Sequence, residues 1–355
     1  MNPITIVMPT RERQAFMLRG VSYWGSLGVR LIVADGSEEA LSASTIGSFP
    51  PNVTYLHSIE NLPSRLATAS AAVKTKFVAM VSDDEFFLRS GLVRCVRFLD
   101  QERDFVSCTG RAISIEVSES GLSWGTQYPE MAGRVLDAHD ASTRVTQHFS
   151  HYTPVHVWSV IRTDVWKSAV NLCNQQEFRL YAQFELQLEY LVSFAGKSCV
   201  LPQLMWVRSK ENATTVDVEP GLDSASKIGD LWSNPLRWQE KQRFVDLVAD
   251  SSRAFAPSLS VDDLRKIVVQ SFSRYHMRLN RVAAKAFIWQ ALAATLRLSR
   301  ISLLNNAQGK PSYQIKLATT LDQMMTAMSA NGVEFNCTEI KAIETRIYDH
   351  HFRSG

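Results

Sequence analysis

The stretch FVAMVSDDEFF, Phe77 to Phe87, runs an apolar, strand-like segment directly into three acidic residues. Asp83, Asp84 and Glu85 follow one another at the end of that segment. Adjacent carboxylates repel each other, so crowding them at a strand end does not help the chain to fold. The stretch therefore predicts a buried strand whose end lies at a site for a positively charged partner.

The first half of the sequence alternates between strand and helix patterns. Four apolar runs that end in turn residues predict buried strands: ITIVMPT (4–10), VRLIVADGS (29–37), NVTYLHS (52–58) and KFVAMVS (76–82). Helical spacing at 11–28, with Gly28 as the end, and at 62–75 separates them. This alternation predicts an α/β fold with a Rossmann-like, mostly parallel sheet flanked by helices, and such sheets bind ligands beyond the carboxyl ends of their strands.

The second half predicts fewer strands and then only helices. We expect helices at 88–100 and 178–196, strands at 104–117 and 198–209, and a strand running into a helix at 155–166. Residues 118–150 are polar and weakly periodic, which favours long loops. After about residue 222 the strand patterns stop, so we predict an α/β domain at 1–222 and a helical domain at 223–355.

Composition excludes several classes of protein. A net charge of +3 over 355 residues is too small for nucleic acid to be the main partner. The five cysteines form no CxxC pair, which argues against a disulfide framework or a zinc cluster and favours a reducing, cytoplasmic setting. The N-terminus has no signal-peptide pattern, and no apolar run reaches ~18 residues. The sequence has neither GxxxxGK[ST] nor GxGxxG, which excludes a phosphate loop and a dinucleotide fingerprint.

The acidic turn has the chemistry of a hard-metal site. Carboxylate oxygens from Asp83, Asp84 and Glu85 suit Mg²⁺ or Mn²⁺, which use one or two protein carboxylates and complete their shell with water and phosphate oxygens. Such a cofactor would neutralise charge on a departing nucleoside diphosphate. The alternative is a solvated acidic turn before the next helix.

Two other strand ends carry polar candidates. Asp35, in VADGS, can accept hydrogen bonds from a ribose or a base, although an ordinary Asp-Gly turn is the alternative. Arg11 and Arg13 follow the first strand and can face a base or a phosphate, unless they are solvated residues of a first helical turn.

Together, TIVMPTRER, LIVADGS and FVAMVSDDEF resemble in order and spacing the start of the GT-A glycosyltransferases, especially the large inverting family 2. The resemblance implies a nucleotide-binding set and a metal set at these strand ends. The nucleotide set is Pro9, Thr10, Arg11, Arg13, Asp35, Arg65 and Asp83, and the metal set is Asp83, Asp84 and Glu85. Here SDDE replaces the family's Asp-x-Asp, and the register leaves either Asp83 with Glu85 or Asp84 alone as the ligand.

The resemblance extends to about residue 215 through QFELQLEYLVSFAGKSCVLPQLMWVRSKEN (183–212). It places the family's catalytic acid on Glu185, although FE replaces the usual ED. Glu185 would then be the general base that deprotonates an acceptor hydroxyl. The alternative is a solvent-facing helix residue, with Glu189 one turn on as a rival or helper.

Further positions follow from the same resemblance. Arg208 and Lys210 would form a cationic lid over the diphosphate, and Trp158 and Arg162 would lie on the acceptor side. Solvated loop charges and a core tryptophan are the alternatives. His139, His148, His151 and His156 have no metal-ligand spacing and are interpreted as loop histidines.

The implied function is transfer of a sugar from a nucleotide-sugar donor to a hydroxyl acceptor, with inversion, in bacterial surface glycan synthesis. The acceptor would be a glycan, a lipid-linked glycan or a protein, and the enzyme would work in the cytoplasm or at the inner face of the membrane. The basic amphipathic segment 283–304 favours a core helix or a homodimer contact, with peripheral membrane contact as the alternative.

Two other functions are alternatives. A nucleotidyltransferase on the same fold predicts a GxGTR-like loop after the first strand, and MPTRER lacks it. A non-catalytic scaffold would act through the helical tail.

Overall fold

The computed structural model describes residues 3–175, 181–212, 228–295 and 320–353. Of residues 228 and 282–295 only the backbone is described. The side chains of the basic amphipathic segment at 283–304 therefore lie outside the description, and so does its backbone from residue 296 onward. None of the described helices is long and apolar enough to cross a lipid bilayer.

One sheet of ten strands forms the centre of the molecule. The strands are β1 (Ile4–Thr10), β2 (Arg30–Asp35), β3 (Val53–His57), β4 (Phe77–Met80), β5 (Phe86–Phe87), β6 (Phe105–Ser118), β7 (Gly121–Gln127), β8 (Val135–Leu136), β9 (Val160–Arg162) and β10 (Lys197–Ser209). Their order is β3-β2-β1-β4-β9-β6-β10-β5, with β7 beside β6 and β8 beside β10. Six strands run in one direction, while β5, β7, β8 and β9 run against them.

Helices cover both faces of the sheet. Those of the first 212 residues are α1 (Gln14–Leu27), α2 (Ala43–Gly47), α3 (Leu62–Ala72), α4 (Arg89–Gln101), α5 (Ala141–Ser150), α6 (Thr163–Asn174) and α7 (Tyr181–Ala195). Those beyond residue 227 are α8 (Ile228–Ser233), α9 (Trp238–Ser252), α10 (Val261–Thr295), α11 (Leu321–Ala330) and α12 (Cys337–Phe352), and short 3₁₀ turns lie at Pro129–Met131 and Pro235–Arg237. As predicted, Gly28 ends α1, with a φ of 63° that favours glycine.

Two apolar cores lie on opposite sides of the sheet. One is formed with α1, α4, α11 and α12 and includes Ile343 and Ile347 of the last helix. The other is formed with α3, α5, α6, α7, α9 and α10 and includes Phe244 and Phe272. The described helices beyond residue 227 therefore share their cores with the sheet, because their apolar faces pack directly on the α/β elements.

The predicted fold class is confirmed: a mostly parallel α/β sheet flanked by helices, followed by a helical region. The loop prediction for 118–150 is wrong, because β7, β8 and α5 fall within it. The strand predicted within 155–166 is the short β9, and it runs antiparallel between β4 and β6. The domain boundary near residue 222 stays a prediction.

Candidate functional site

The carboxyl ends of β1, β2 and β4 meet at one edge of the sheet. Thr10 is aligned with Asp35 across β1 and β2, and β4 pairs with β1 on the other side. The Thr10 hydroxyl donates to Asp83 Oδ2 at 2.7 Å, and Arg13 Nη1 lies 3.5 Å from Asp83 Oδ1. The structure thus brings three of the predicted residues together across 73 positions of sequence.

The two turns that leave β1 and β2 are tied to each other. Glu12 has a φ of 53°, which is uncommon for a residue other than glycine, and its N–H donates to Ser37 Oγ at 2.9 Å. Its carboxylate accepts from the Glu38 N–H at 2.6 Å. Backbone strain of this kind persists only where the surroundings hold it, and it is concentrated at functional sites.

Asp35 is fully buried beneath this pair of turns. Its Oδ1 accepts from the N–H and the hydroxyl of Ser37 at 2.9 and 2.6 Å, and its Oδ2 accepts from the Tyr55 hydroxyl at 2.7 Å. The carboxylate therefore holds the shape of the Gly36–Ser37 turn. A nucleoside bound at this edge would contact the Gly36–Ser37 turn, and Asp35 would support that turn from beneath.

Arg65 closes the same edge from α3. Its Nη1 donates to the carbonyl oxygens of Thr10 and Ala34 at 2.8 and 3.0 Å, so the guanidinium gathers carbonyls at the ends of β1 and β2. A Cβ on Gly36 would lie 2.4 Å from Arg65 Cζ. Only glycine leaves room there for the guanidinium.

A cavity opens directly onto these groups. Its walls include Thr10, Arg11, Arg13, Arg65, Asp83 and Trp158. A larger cavity of about 330 Å³ lies at the opposite edge, against Ile4, Val29 and α4. None of the predicted site residues lines that larger cavity, so the smaller cavity is the candidate binding site.

Asp83 and Asp84 are buried acids whose pKa values are raised by burial. Burial raises the pKa of Asp83, against the opposing effects of the Thr10 hydrogen bond and the Arg13 charge. Burial and the neighbouring Asp83 raise the pKa of Asp84 to about 7, while Arg13 lowers it. The charge of Glu211 also raises the pKa of Asp84.

Glu85 turns to the opposite side of the acidic segment. Its Oε2 accepts from Trp206 Nε1 at 2.8 Å, and its Oε1 lies 3.8 Å from Arg208 Nε. Burial and Asp84 raise its pKa well above the usual range, and Arg208 and Trp206 lower it. Partners from β10 therefore occupy both oxygens of Glu85.

Arg208 and Tyr128 connect Glu85 with Glu185. Arg208 donates to the Tyr128 hydroxyl, and its guanidinium lies over the Tyr128 ring at 5.5 Å. Burial raises the pKa of Tyr128 to about 12; Arg208 lowers it, while Glu185 and Glu85 raise it. Glu85 and Glu185 thus both lie close enough to Tyr128 for their charges to raise the pKa of its hydroxyl.

Glu185 lies in the first part of α7 and is held by Tyr152. The Tyr152 hydroxyl donates to Glu185 Oε1 at 2.5 Å. Burial raises the pKa of Glu185, whereas the Tyr152 hydrogen bond and the Arg208 charge lower it. The side chain is partly accessible, which a group that must meet a substrate requires.

The remaining predicted residues divide into two groups. Trp158 lines the cavity and stacks on Trp206 at 5.2 Å, while Lys210 is exposed after β10. Arg162 lies elsewhere, because β9 runs antiparallel and places it opposite Phe77, at the amino-terminal start of β4. It donates to the carbonyls of Phe105, Leu99 and Glu102, so the structure does not bring it to the acceptor side.

His148, His156 and Glu189 form a buried cluster that the sequence did not predict. Their possible ligand atoms lie within 4.8 Å of one another. Arg134 Nη2, which can only donate, lies 3.0 Å from His148 Nδ1, so the hydrogen of this neutral ring is on Nε2. His148 Nε2 lies 2.9 Å from Glu189 Oε2 but without the geometry of a hydrogen bond, and a metal at Nε2 would need the other tautomer.

The acidic turn, by contrast, fits a hard divalent cation. Asp83 and Asp84 are adjacent and buried, burial raises the pKa of both carboxyls, and oxygen donors suit Mg²⁺ and Mn²⁺. Glu85 has Trp206 at one oxygen and Arg208 3.8 Å from the other, much as Asp83 has Thr10 and Arg13, so all three acids of the turn stay predicted ligands.

Several residues of this edge were missed from the sequence: Arg19, Tyr128, Tyr152, Trp206, Glu211 and His351. Each reaches the site through a contact over long sequence distance, such as the 192 positions between Arg19 and Glu211. Trp206 and Glu211 lie within the stretch 183–212 that carries the family resemblance, but no local pattern identified either side chain as part of the site.

No family model matches the chain, and no curated protein matches its sequence. Among solved structures, S. aureus TarS 1-349 aligns at 11% identity with a TM-score of 0.49, over 78% of this chain and 72% of that one. Its complexes with UDP-GlcNAc and with UDP each align at 12% identity, with the same TM-score and coverage. Sequence identities and a TM-score this low do not support a functional assignment, so the function is inferred from the residues at the carboxyl edge of the sheet.

Proposed function

We propose that the chain is a glycosyltransferase that moves a sugar from a nucleotide-sugar donor to a hydroxyl acceptor, with Mn²⁺ or Mg²⁺ and with inversion. One observation carries the proposal. Two buried aspartates, Asp83 and Asp84, lie at the carboxyl edge of the sheet, and a half-buried acid, Glu185, lies close enough to Tyr128 to raise its pKa together with the neighbouring Glu85.

The donor half of the site follows from the strand ends. The nucleoside would lie against the turns after β1 and β2, which Asp35, Ser37 and Arg65 hold in shape. Asp83 and Asp84 would hold the cation, and the cation supplies positive charge to the diphosphate as it departs. Arg13 is placed to approach the same phosphates, since it lies 3.5 Å from Asp83.

The acceptor half follows from α7. Glu185 would take the proton of the attacking hydroxyl as the new glycosidic bond forms and the bond to the diphosphate breaks. The Tyr152 hydrogen bond and the Arg208 charge favour the ionised form that a base requires. Trp158, in the cavity wall, offers an aromatic face to a sugar ring. Arg208 is placed to stabilise the departing phosphate.

The test is turnover of nucleotide-sugar donors. A panel of UDP-, GDP-, CDP- and dTDP-sugars is incubated with the wild-type chain, with Mn²⁺ or with a chelator, and the released nucleoside diphosphate is measured. We expect release from at least one donor, lost with the chelator and lost in Asp83→Asn. The matched control is Asp137→Asn, an exposed acid outside the site, which should release at the wild-type rate. Absence of release from every donor would refute the proposal.

A further inference from the structure

The last helix of the described chain ends against the acidic edge. His351, one residue before the end of α12, donates from Nε2 to Glu211 Oε2. The neighbouring His350 ring lies 5.0 Å from the ring of Phe16 in α1. The C-terminal helix therefore contacts the segment that follows β10 and the first helix together.

Glu211 is the centre of a buried ion pair. Arg19 binds it through two nitrogens, Nη1 to Oε2 at 2.7 Å and Nη2 to Oε1 at 3.1 Å. The Glu211 side chain is fully enclosed. Burial raises the pKa of Glu211, but Arg19, Ser209 and His351 together hold it below its ordinary value. A buried pair of this kind is sensitive to the loss of any partner, because an uncompensated charge remains.

Arg19 in turn holds the acidic turn. Its Nη2 donates to the backbone oxygen of Asp84 at 3.2 Å, and its guanidinium lies 5.2 Å from the Phe86 ring. The same side chain therefore contacts the residues on both sides of Glu85. A shift of Arg19 would move the backbone that carries Asp84.

The rest of α12 is anchored without His351. Glu339 accepts from the N–H and the hydroxyl of Ser90 at 3.0 and 2.8 Å, at the start of α4. Arg346 donates to Ser22 at 3.1 Å, and Ile343 is fully buried. Removing the His351 ring would thus leave the helix docked while it removes one partner of Glu211.

We propose that His351 is a positioning residue that, through Glu211 and Arg19, holds Asp84 in the geometry that binds the cation. The inference rests on the proposed function, since it assigns the C-terminal helix a part in the same site. The effect of α12 on the site would be indirect, because the described contacts link His351 to Asp84 only through Glu211 and Arg19.

The test compares three variants of the full chain. His351→Ala removes the donor, His351→Gln keeps an N–H donor, and Arg353→Ala alters an exposed residue of the same helix end that pairs with Asp349. For each, the dissociation constant for Mn²⁺ is measured by electron paramagnetic resonance, with the melting temperature recorded alongside. Hydrogen exchange is followed for the amides of residues 82–88.

We expect His351→Ala to weaken Mn²⁺ binding by about tenfold, which corresponds to about 1.4 kcal/mol, and to speed exchange at residues 82–88. His351→Gln should recover most of the affinity, and Arg353→Ala should match the wild-type chain. Unchanged affinity and exchange in His351→Ala would overturn the inference, and so would an equal loss in all three variants. If the wild-type chain binds no Mn²⁺, the proposed function fails, and the exchange data alone then decide whether His351 positions the turn.

Discussion

Asp84 should cost the folded chain stability at neutral pH, and its replacement by asparagine should recover that stability. Its pKa rises from 3.8 to about 7 on folding, which corresponds to about 4 kcal/mol of unfavourable free energy once the group is ionised in both states. The neutral acid is the form that the fold favours. The part of the stability that depends on Asp84 is therefore complete below pH 3.8 and is lost as the pH rises from there through about 7.

Asp84 is 7% exposed, so solvent screens part of this cost. We expect Asp84→Asn to be more stable than the wild-type chain by about 1 to 4 kcal/mol at pH 8, and equal to it at pH 4. Urea unfolding at the two pH values, in a chelator, measures both differences. The control is Asp137→Asn, an exposed substitution that should change stability by less than about 0.5 kcal/mol at either pH.

Adding Mn²⁺ with a nucleoside diphosphate should reverse the order of the two proteins. A ligand that binds only the native state stabilises it by mass action, and Asp84→Asn lacks one of the proposed ligands. If Asp84→Asn is less stable than the wild-type chain at pH 8 in the chelator, Asp84 is already satisfied by the fold, and the reasoning from its burial is refuted.

Three further substitutions test other parts of the site. Glu185→Gln should lower kcat by about 10² to 10⁴, the usual contribution of a general base, with donor binding measured by calorimetry unchanged; wild-type turnover would remove Glu185 as the base. Tyr152→Phe deletes a hydrogen bond that lowers the pKa of Glu185, so the acidic limb of the pH profile of kcat/KM should move to higher pH. An unmoved limb would show that this hydrogen bond does not set the pKa of the base. Gly36→Ala places a Cβ 2.4 Å from Arg65 Cζ and should destabilise the chain by about 1 to 3 kcal/mol in thermal or urea unfolding; a neutral result would mean that Arg65 has room to move.

The sequence predicted the elements that follow from local pattern. The buried strands that end at Thr10, Asp35 and Met80, and their convergence at one edge, depend on apolar runs and on the parallel α/β rule, and the structure has all three. The class of the C-terminal region followed in the same way, because its helical periodicity is local.

The details that the sequence missed depend on strand direction and on long-range contacts. Arg162 was expected on the acceptor side, but a short strand pattern does not show which way the strand runs, and β9 is antiparallel. Glu85 is predicted to bind metal with its neighbours, and no local pattern showed that Trp206, 121 positions later, donates to its carboxylate. The links from Glu211 to Arg19 and His351 likewise join segments 140 or more positions apart.

Cation-dependent binding of a nucleoside diphosphate is the property on which the account depends most directly. Melting temperatures of the wild-type chain and of Asp84→Asn, measured with a panel of nucleoside diphosphates with Mn²⁺ and with a chelator, test it in one experiment. The account predicts that at least one nucleotide stabilises the wild-type chain with Mn²⁺, by about 2.7 kcal/mol at a hundredfold excess over its dissociation constant, and that this gain is absent with the chelator and in Asp84→Asn. Melting temperatures that no nucleotide changes, or that change equally with and without Mn²⁺, would contradict it.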